Sequence, residues 1–298
     1  MCGYIGELDG KLFYQMKRHK IFRKFSITIV WFWLTIFALI PYIFLVITSV
    51  LTPGDNELVR LHLSISNYLN LFNPYYLQVF WRSFMLAGIC TIISLIVAFP
   101  FSYLIARSNE KYKNILLLLV IIPFWTSSLI RSYAIMAILK THGILNKLLL
   151  FFNLIETPIQ IMYTNTATLI GLIYTLLPLM ILPLYTSVEK LDTRIIDAAK
   201  DLGAKRHQVL LKIILPLTYP GIFAGCILVF LPAMTMFYIP DLMGGAKTIL
   251  IGNIIQNQFL AARNWPMGAT ISVALTLLMG IVLICYWKKH PHQQQELL

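Results

Sequence analysis

Few residues in this 298-residue sequence occur in the types and spacings that catalysis requires. The four cysteines lie far apart and form no Cys-x-x-Cys pair, which argues against a disulfide framework and against a metal site. The run Gly244-Gly245-Ala246-Lys247-Thr248 lacks the glycine that precedes the lysine of a phosphate-binding loop. The sequence contains no cofactor motif. We therefore expect a protein that is not an enzyme and that binds neither a cofactor nor a metal.

The segment 189–217 carries a different chemistry, that of a polar surface between apolar segments. Asp192 is a residue typical of helix starts, and Gly203 interrupts the helical pattern, so two short helices are predicted to meet near Gly203. Ala198 and Ala199 form a small-residue face on which another protein could pack closely. The pattern favours a docking surface for a soluble partner. A connector that only covers the helix ends is the alternative.

The hydropathy of the rest of the chain predicts the elements that position this loop. Hydrophobic residues make up 58% of the chain and charged residues 12%, whereas soluble domains carry about 25% charged residues. This composition excludes intrinsic disorder and an ordinary cytosolic enzyme. The apolar segments reach the roughly 20 residues that a spanning helix needs, and none alternates like a barrel strand. We predict an all-α integral membrane protein with six transmembrane helices near 27–51, 83–106, 115–139, 166–188, 218–239 and 267–287.

The basic residues predict the orientation of these helices. Of the 24 Lys and Arg residues, 17 lie on the side that holds both termini, the segment 107–113 and the loop 189–217. Because cytoplasmic loops carry an excess of Lys and Arg, the tails 1–26 and 288–298 are predicted to be cytoplasmic. The net charge of +12 then reflects membrane topology, and no nucleic acid is expected as a partner.

The loop has a specific resemblance to a known family. Seven of its residues match the spacing of the EAA motif of bacterial ABC-importer permeases: Asp197, Ala198, Ala199, Gly203, Ile213, Leu215 and Pro216. Asp197 stands where the motif has glutamate, which keeps the charge and shortens the side chain by one methylene. The segments 123–131, 187–192 and 241–247 resemble the spermidine/putrescine permeases, and this similarity extends from about residue 27 to residue 287.

The resemblance implies the pore-forming permease subunit of an ATP-driven importer for polyamines, spermidine or putrescine, in a bacterial inner membrane. The fold it implies is an ABC-importer permease-like helix bundle, coupled to an ATPase through the loop 189–217. The implied partners are a dimer of ATP-binding ABC subunits, a second related permease subunit, a periplasmic or extracellular polyamine-binding protein, and membrane lipid. One alternative is an ABC importer permease for another small solute. A secondary transporter or membrane anchor without an ATPase is the other.

A polyamine is a flexible polycation, so a pathway for it should offer carboxylates and aromatic faces. Cation–π contacts contribute about 0.5–2 kcal/mol, which binds a cation without trapping it. Asp241 directly follows Phe237-Tyr238-Ile239-Pro240 and is predicted to hold an ammonium at the pore mouth, although it could instead cap the next turn or pair with Lys247. The other pathway candidates, each of which could instead pack against lipid or a neighbouring helix, are Trp125, Tyr133, Tyr174, Tyr185, Phe237 and Tyr238.

Overall fold

The computed structural model describes residues 24–54, 58–245 and 248–289, so most of the two predicted tails lies outside the described residues. In chain order the elements are α1 (Lys24–Ser49), β1 (Leu51–Thr52), β2 (Arg60–Leu63), α2 (Ser66–Asn70), α3 (Pro74–Ala106), α4 (Glu110–Trp125), α5 (Ser128–Leu139), α6 (Ile144–Phe151), α7 (Asn165–Glu189), α8 (Thr193–Asp201), α9 (Arg206–Leu217), α10 (Tyr219–Thr235), α11 (Ile251–Leu260) and α12 (Trp265–Lys289). A π-helical turn, Pro240–Gly244, lies between α10 and α11.

The predicted all-α, multi-span architecture is confirmed. Five helical segments are long and apolar enough to cross a membrane: α1, α3, Ser128–Phe151, α7 and Trp265–Ile284. The pair α9 and α10 adds a sixth if it is counted as one span, and the two helices are bent by 68° where they meet. The only sheet in the described ranges is the short antiparallel hairpin of β1 and β2.

The described residues form two compact units. The first unit comprises residues up to Leu69 together with those from Asn264 onward. Within it, α1 packs against α12, and the Thr270 hydroxyl donates a hydrogen bond to the carbonyl of Ser49 at 2.8 Å. The buried Asn67 amide donates to the carbonyl of Leu51 at 2.8 Å and so fixes β1 to α2.

The second unit, Asn70–Arg263, is built around α3, α7 and α10, which pack closely against one another. Gly221 and Gly225 of α10 face α7, as their spacing of four residues predicts. A Cβ atom on Gly221 would lie 2.6 Å from the carbonyl oxygen of Pro183, and one on Gly225 would lie 2.6 Å from the Met180 sulfur. The absent side chains therefore allow the close approach of the two helices.

Two predicted spans differ from the helices observed. The helix predicted at 83–106 begins at Pro74, where Asn73 accepts a hydrogen bond from the Tyr75 N–H at 3.1 Å. The single span predicted at 115–139 is wrong, because α4 ends at Trp125 and the backbone at Thr126 is extended. The Thr126 hydroxyl donates to the carbonyl of Pro123 at 2.8 Å, which stabilises the break before α5 starts.

Candidate functional site

The loop 189–217 is a helical hairpin whose turn is made by Gly203. The Gly203 N–H donates to the carbonyl of Lys200 at 2.8 Å, and the Ala204 N–H donates to the carbonyl of Ala199 at 3.0 Å. These two bonds form a Schellman motif, which ends a helix with one residue in the left-handed region. Gly203 is that residue, with φ of +83°. The three-residue gap between Ala199 and Gly203 is therefore the spacing of a helix cap.

The start of α8 is as the sequence predicts. The Asp192 carboxylate accepts a hydrogen bond from the Arg194 N–H at 2.9 Å, so Asp192 is the N-cap. Further along α8, Lys200 donates to Asp197 at 2.9 Å across less than one turn. Both side chains of this pair are well exposed, so the interaction orients Asp197 and adds little stability.

The inner face of the hairpin is apolar and anchors it. Leu191 and Ile196 pack with Val209 and Ile214 in a buried cluster. Five partly buried residues complete the cluster: Phe99, Tyr103, Ala199, Ala204 and Ile213. Phe99 and Tyr103 belong to α3, so the hairpin is held directly against the end of a long helix of the core. The hairpin and α3 therefore share one apolar cluster.

The outer face of the hairpin has no partner within the described residues. Leu202, beside the Gly203 turn, is 89% exposed, and Ile195 is 47% exposed. Asp197 and Ala198 are also exposed. Leu202 therefore adds an exposed apolar side chain to the small and charged residues of this outer face.

An ion pair and a cation–backbone bond join the base of the hairpin to α4 and α3. Lys113, in the first turn of α4, pairs with Glu189, the last residue of α7. The pKa of Lys113 lies above its usual value, chiefly because its ammonium donates a hydrogen bond to Glu189. The Arg107 guanidinium, directly after α3, donates to the carbonyl of Leu191 at 3.2 Å. Sequence reasoning missed these contacts, which join positions 76 and 84 residues apart.

The last part of the EAA-like segment lies before a sharp bend. Ile213 packs against the apolar cluster, Leu215 is half-buried and Pro216 is exposed. The helix bends by 68° after Leu217, and α10 begins at Tyr219, close to the predicted start of the span at 218. The buried hydroxyl of Thr218 donates to the carbonyl of Ile214 at 2.8 Å and stabilises the bend.

Three of the predicted pathway residues are brought together at the end of α7 that is opposite to the hairpin. Asn253 donates from its amide to the carboxylate of Asp241 at 2.5 Å and to the carbonyl of Phe237 at 2.9 Å. The ring of Tyr238 is half-buried and lies edge-on to that of Phe237, with centroids 6.1 Å apart. The Asn253 amide is thus the partner of Asp241, which sequence reasoning did not identify. The alternative pairing with Lys247 concerns a residue outside the described ranges.

The remaining pathway candidates are dispersed. Trp125, at the end of α4, is 78% exposed, and Tyr133 and Tyr174 are 54% and 43% exposed. Tyr185 is half-buried at the hairpin end of α7, with the Lys113 ammonium 5.7 Å from its ring centroid. The structure does not gather these four rings into one cavity of the described residues.

Arg131 lies in the first turns of α5, which begins after the break at Thr126. Its side chain is 9% exposed, and its guanidinium lies 5.6 Å from the centroid of the Phe124 ring.

The helix bundle and the capped hairpin define a polytopic membrane transport component. Residues 98–290 match the family described as binding-protein-dependent transport system inner membrane component. The chain belongs to this family. It is therefore an inner membrane permease component, and the family name implies a separate substrate-binding protein. Among the described residues, no group of three His, Cys, Asp or Glu side chains could hold a metal ion.

Two comparisons with curated relatives cover nearly the whole chain. The chain is 48% identical to the spermidine/putrescine transport system permease protein PotB of Haemophilus influenzae, over 90% of this chain and 93% of that protein. It is 48% identical to the protein of the same name from Escherichia coli K12, over 86% of this chain and 93% of that protein.

A solved structure shares the fold. It is a chain of the bacterial alginate ABC transporter in complex with a periplasmic protein that carries an alginate pentasaccharide. The TM-score is 0.73, with 14% identity, over 93% of this chain and 96% of that chain. At this identity the likeness defines the fold alone.

Proposed function

We propose that the chain is the pore-forming permease subunit of an ATP-driven importer of polyamines, spermidine or putrescine. The observation that carries the proposal is the 48% identity to the spermidine/putrescine permease of Haemophilus influenzae over 90% of the chain. Neither composition nor helix packing supplies the substrate, because both are common to permeases of many solutes. The proposal includes cytoplasmic termini, which the distribution of Lys and Arg supports.

The hairpin formed by α8 and α9 receives the ATPase in this proposal. Its exposed outer face presents Ala198 and Leu202, and its buried inner face packs on Phe99 and Tyr103 of α3. A push by the ATPase on the outer face is therefore transmitted through the apolar cluster to α3. The Lys113–Glu189 pair connects the same movement to α4. The seven EAA-like residues act here by shaping and anchoring the docking surface.

The partners follow from this arrangement. A dimer of ATP-binding subunits would dock on the hairpin of this chain and on the equivalent part of a second, related permease subunit. A polyamine-binding protein would deliver the substrate at the opposite face of the membrane. Hydrolysis of ATP belongs to the ATP-binding subunits, so the permease contributes the pathway and the coupling surface.

The pathway residues remain candidates within the proposal. Asp241 and Phe237 lie at the end of α7 that is opposite to the hairpin, and Tyr185 lies at the hairpin end. A helix of 25 residues is about 38 Å long, so these positions are suited to entry and exit of a cation. Tyr238 lies beside Phe237 at the Asp241 end, and Trp125, Tyr133 and Tyr174 are proposed as further aromatic contacts.

Uptake by the assembled transporter tests the function. The chain is produced together with an ATPase, a second permease and a binding protein from the same organism, and the complex is reconstituted in proteoliposomes. We expect ATP-dependent accumulation of labelled spermidine or putrescine, and no accumulation with a non-hydrolysable ATP analogue. ATP-dependent accumulation of a different solute, such as sulfate or a sugar, would agree with an ABC importer but contradict a polyamine substrate. Polyamine uptake that needs no ATPase would contradict the class.

A further inference from the structure

A polar cavity lies at the end of α7 that is remote from the hairpin. Its volume is about 390 Å³, within the range of about 300–1,000 Å³ for small-molecule sites. It is lined by the first turn of α3, by Asp241 of the π-helical turn and by one face of α11. All of these residues belong to the unit 70–263, and the cavity opens to solvent beside the exposed Asp241 and Tyr75.

The charge of the cavity favours a cation. Asp241 is the one charged residue among its lining side chains, and no described Lys or Arg forms an ion pair with it. Three amide side chains, Gln256, Asn257 and Gln258, add carbonyl oxygens that can accept hydrogen bonds from an ammonium. An anion would find no fixed positive charge in this lining. The cavity therefore has the polarity of an ammonium site.

The carboxylate of Asp241 is held in place before any ligand arrives. Asn253 uses its amide protons on Asp241 and on the Phe237 carbonyl, and its oxygen accepts the Leu250 N–H at 3.0 Å. The Asn253 side chain is thereby fixed at both ends, and one oxygen of Asp241 is fixed with it. The second carboxylate oxygen has no partner among the described residues and remains for a ligand.

The α11 wall of the cavity is also anchored. The Ile251 N–H donates to the buried Ser83 hydroxyl at 2.8 Å, which fixes the start of α11 to α3. Near the other end, the Gln258 amide contacts the Tyr76 hydroxyl at 3.5 Å. A Cβ atom on Gly252 would overlap the backbone of Thr235, so α11 packs tightly on the end of α10. This preorganisation reduces the entropic cost of binding.

The remaining lining suits a chain of methylenes. The Tyr75 ring and the apolar side chains of Ile254 and Leu260 line the same cavity as the carboxylate. A hydrated metal ion would gain nothing from these surfaces, whereas an alkylammonium chain can pack on them and place its ammonium over the ring or beside the carboxylate. The combination fits one end of a linear polyamine.

We propose that this cavity is an entry subsite that binds one ammonium end of a linear polyamine on the face of the permease opposite the hairpin. Asp241 supplies the charge, the amides of α11 supply hydrogen-bond acceptors, and Tyr75 supplies an aromatic face. The subsite receives the cation before it moves along the pathway. This proposal rests on the proposed function of the chain as a polyamine permease.

The test measures polyamine imported per ATP hydrolysed by the complete transporter in proteoliposomes with saturating loaded binding protein. Asp241→Asn keeps the shape of the side chain and removes its charge. We expect it to lower this ratio about twofold to fivefold, the factor that corresponds to the free energy of an exposed charge pair. Asp241→Asn combined with Asn257→Asp returns a carboxylate to the cavity and is expected to recover at least half of the loss. Glu156→Gln is the matched control, because it removes an exposed charge outside the cavity.

Three results would overturn the proposal. An unchanged ratio in Asp241→Asn would show that the charge does not serve import. Equal loss in the single and double variants would assign Asp241 a structural role in fixing Asn253. Wild-type vesicles that import no polyamine would overturn both this subsite and the proposed function, whereas normal wild-type import with an unchanged Asp241→Asn variant would overturn the subsite alone.

Discussion

Lys113 and Glu189 form an ion pair that joins the first turn of α4 to the last residue of α7. The pair lies at the base of the hairpin, one turn from Tyr185, whose ring also faces the Lys113 ammonium. Two segments that are 76 residues apart in sequence are thereby fixed at the point where α7 leads into α8. The hairpin is consequently held in place by this ion pair at its base and by the apolar cluster on its inner face.

Reversal of one charge in this pair should impair coupling. In Glu189→Lys two ammonium groups face each other, so we expect the base of the hairpin to shift and ATP-dependent uptake to fall. The double variant Lys113→Glu with Glu189→Lys restores opposite charges and should recover uptake. The measurement is initial uptake and ATP hydrolysis in proteoliposomes at equal protein content. A double variant as impaired as the single variant would show that the pairing itself is not needed.

Substitutions at Gly203 distinguish the effect of backbone strain on coupling from the effect of an added surface charge. The left-handed conformation costs an L-residue about 1–2 kcal/mol, and Asn and Asp tolerate it best. A Cβ atom there meets nothing within 4 Å, so side-chain bulk causes no clash within the chain. We expect Gly203→Asn to retain coupling and Gly203→Asp, which has the same shape, to lose ATPase stimulation because it adds a charge to the docking face. Equal stimulation in the two variants would contradict a docking role for this turn.

Two neighbouring isoleucines of α8 should behave differently. Ile196 is 5% exposed in the apolar cluster, whereas Ile195 is 47% exposed on the outer face. Ile196→Ala should lower the stability of the hairpin by about 2–5 kcal/mol, the range for buried Ile-to-Ala changes. Faster tryptic cleavage at the basic residues of α8 and α9 would report this loss.

Ile195→Ala serves as the matched control and as a test of the outer face. We expect normal resistance to trypsin, because the side chain contributes little to the cluster, and weaker co-purification with the ATPase. If Ile195→Ala destabilised the hairpin as much as Ile196→Ala, the assignment of inner and outer faces would be incorrect.

The contact between α10 and α7 depends on glycine. Gly221→Ala places a methyl group 2.6 Å from the Pro183 carbonyl oxygen and should cost about 1–3 kcal/mol by overpacking. Gly88→Ala in α3 is the control, because its Cβ meets nothing within 4 Å and alanine favours a helix. Thermal unfolding of the protein in detergent should give a lower Tm for Gly221→Ala alone. A similar decrease in both variants would indicate a general effect of substitution in the bundle.

Much of the architecture could be predicted because its signals are local. Apolar length predicted a helical membrane bundle, and α7 differs by one residue at each end from the range 166–188. The cap residues Asp192 and Gly203 predicted the hairpin, since a capping hydrogen bond and a left-handed turn depend only on nearby residues. The break at Thr126 was missed because the apolar sequence pattern continues across it, whereas the helical conformation of the backbone is interrupted there.

The sequence by itself determined that the chain is a bundle of apolar helices, where the hairpin turns, and which family the chain resembles. Only the tertiary structure decided that Asn253 fixes Asp241, that Lys113 pairs with Glu189, and that Phe99 and Tyr103 anchor the hairpin. The physical reason is the distance along the sequence over which each interaction acts. Caps and hydropathy are properties of a few consecutive residues, whereas these contacts join positions between 12 and about 110 residues apart whose proximity depends on how the helices pack.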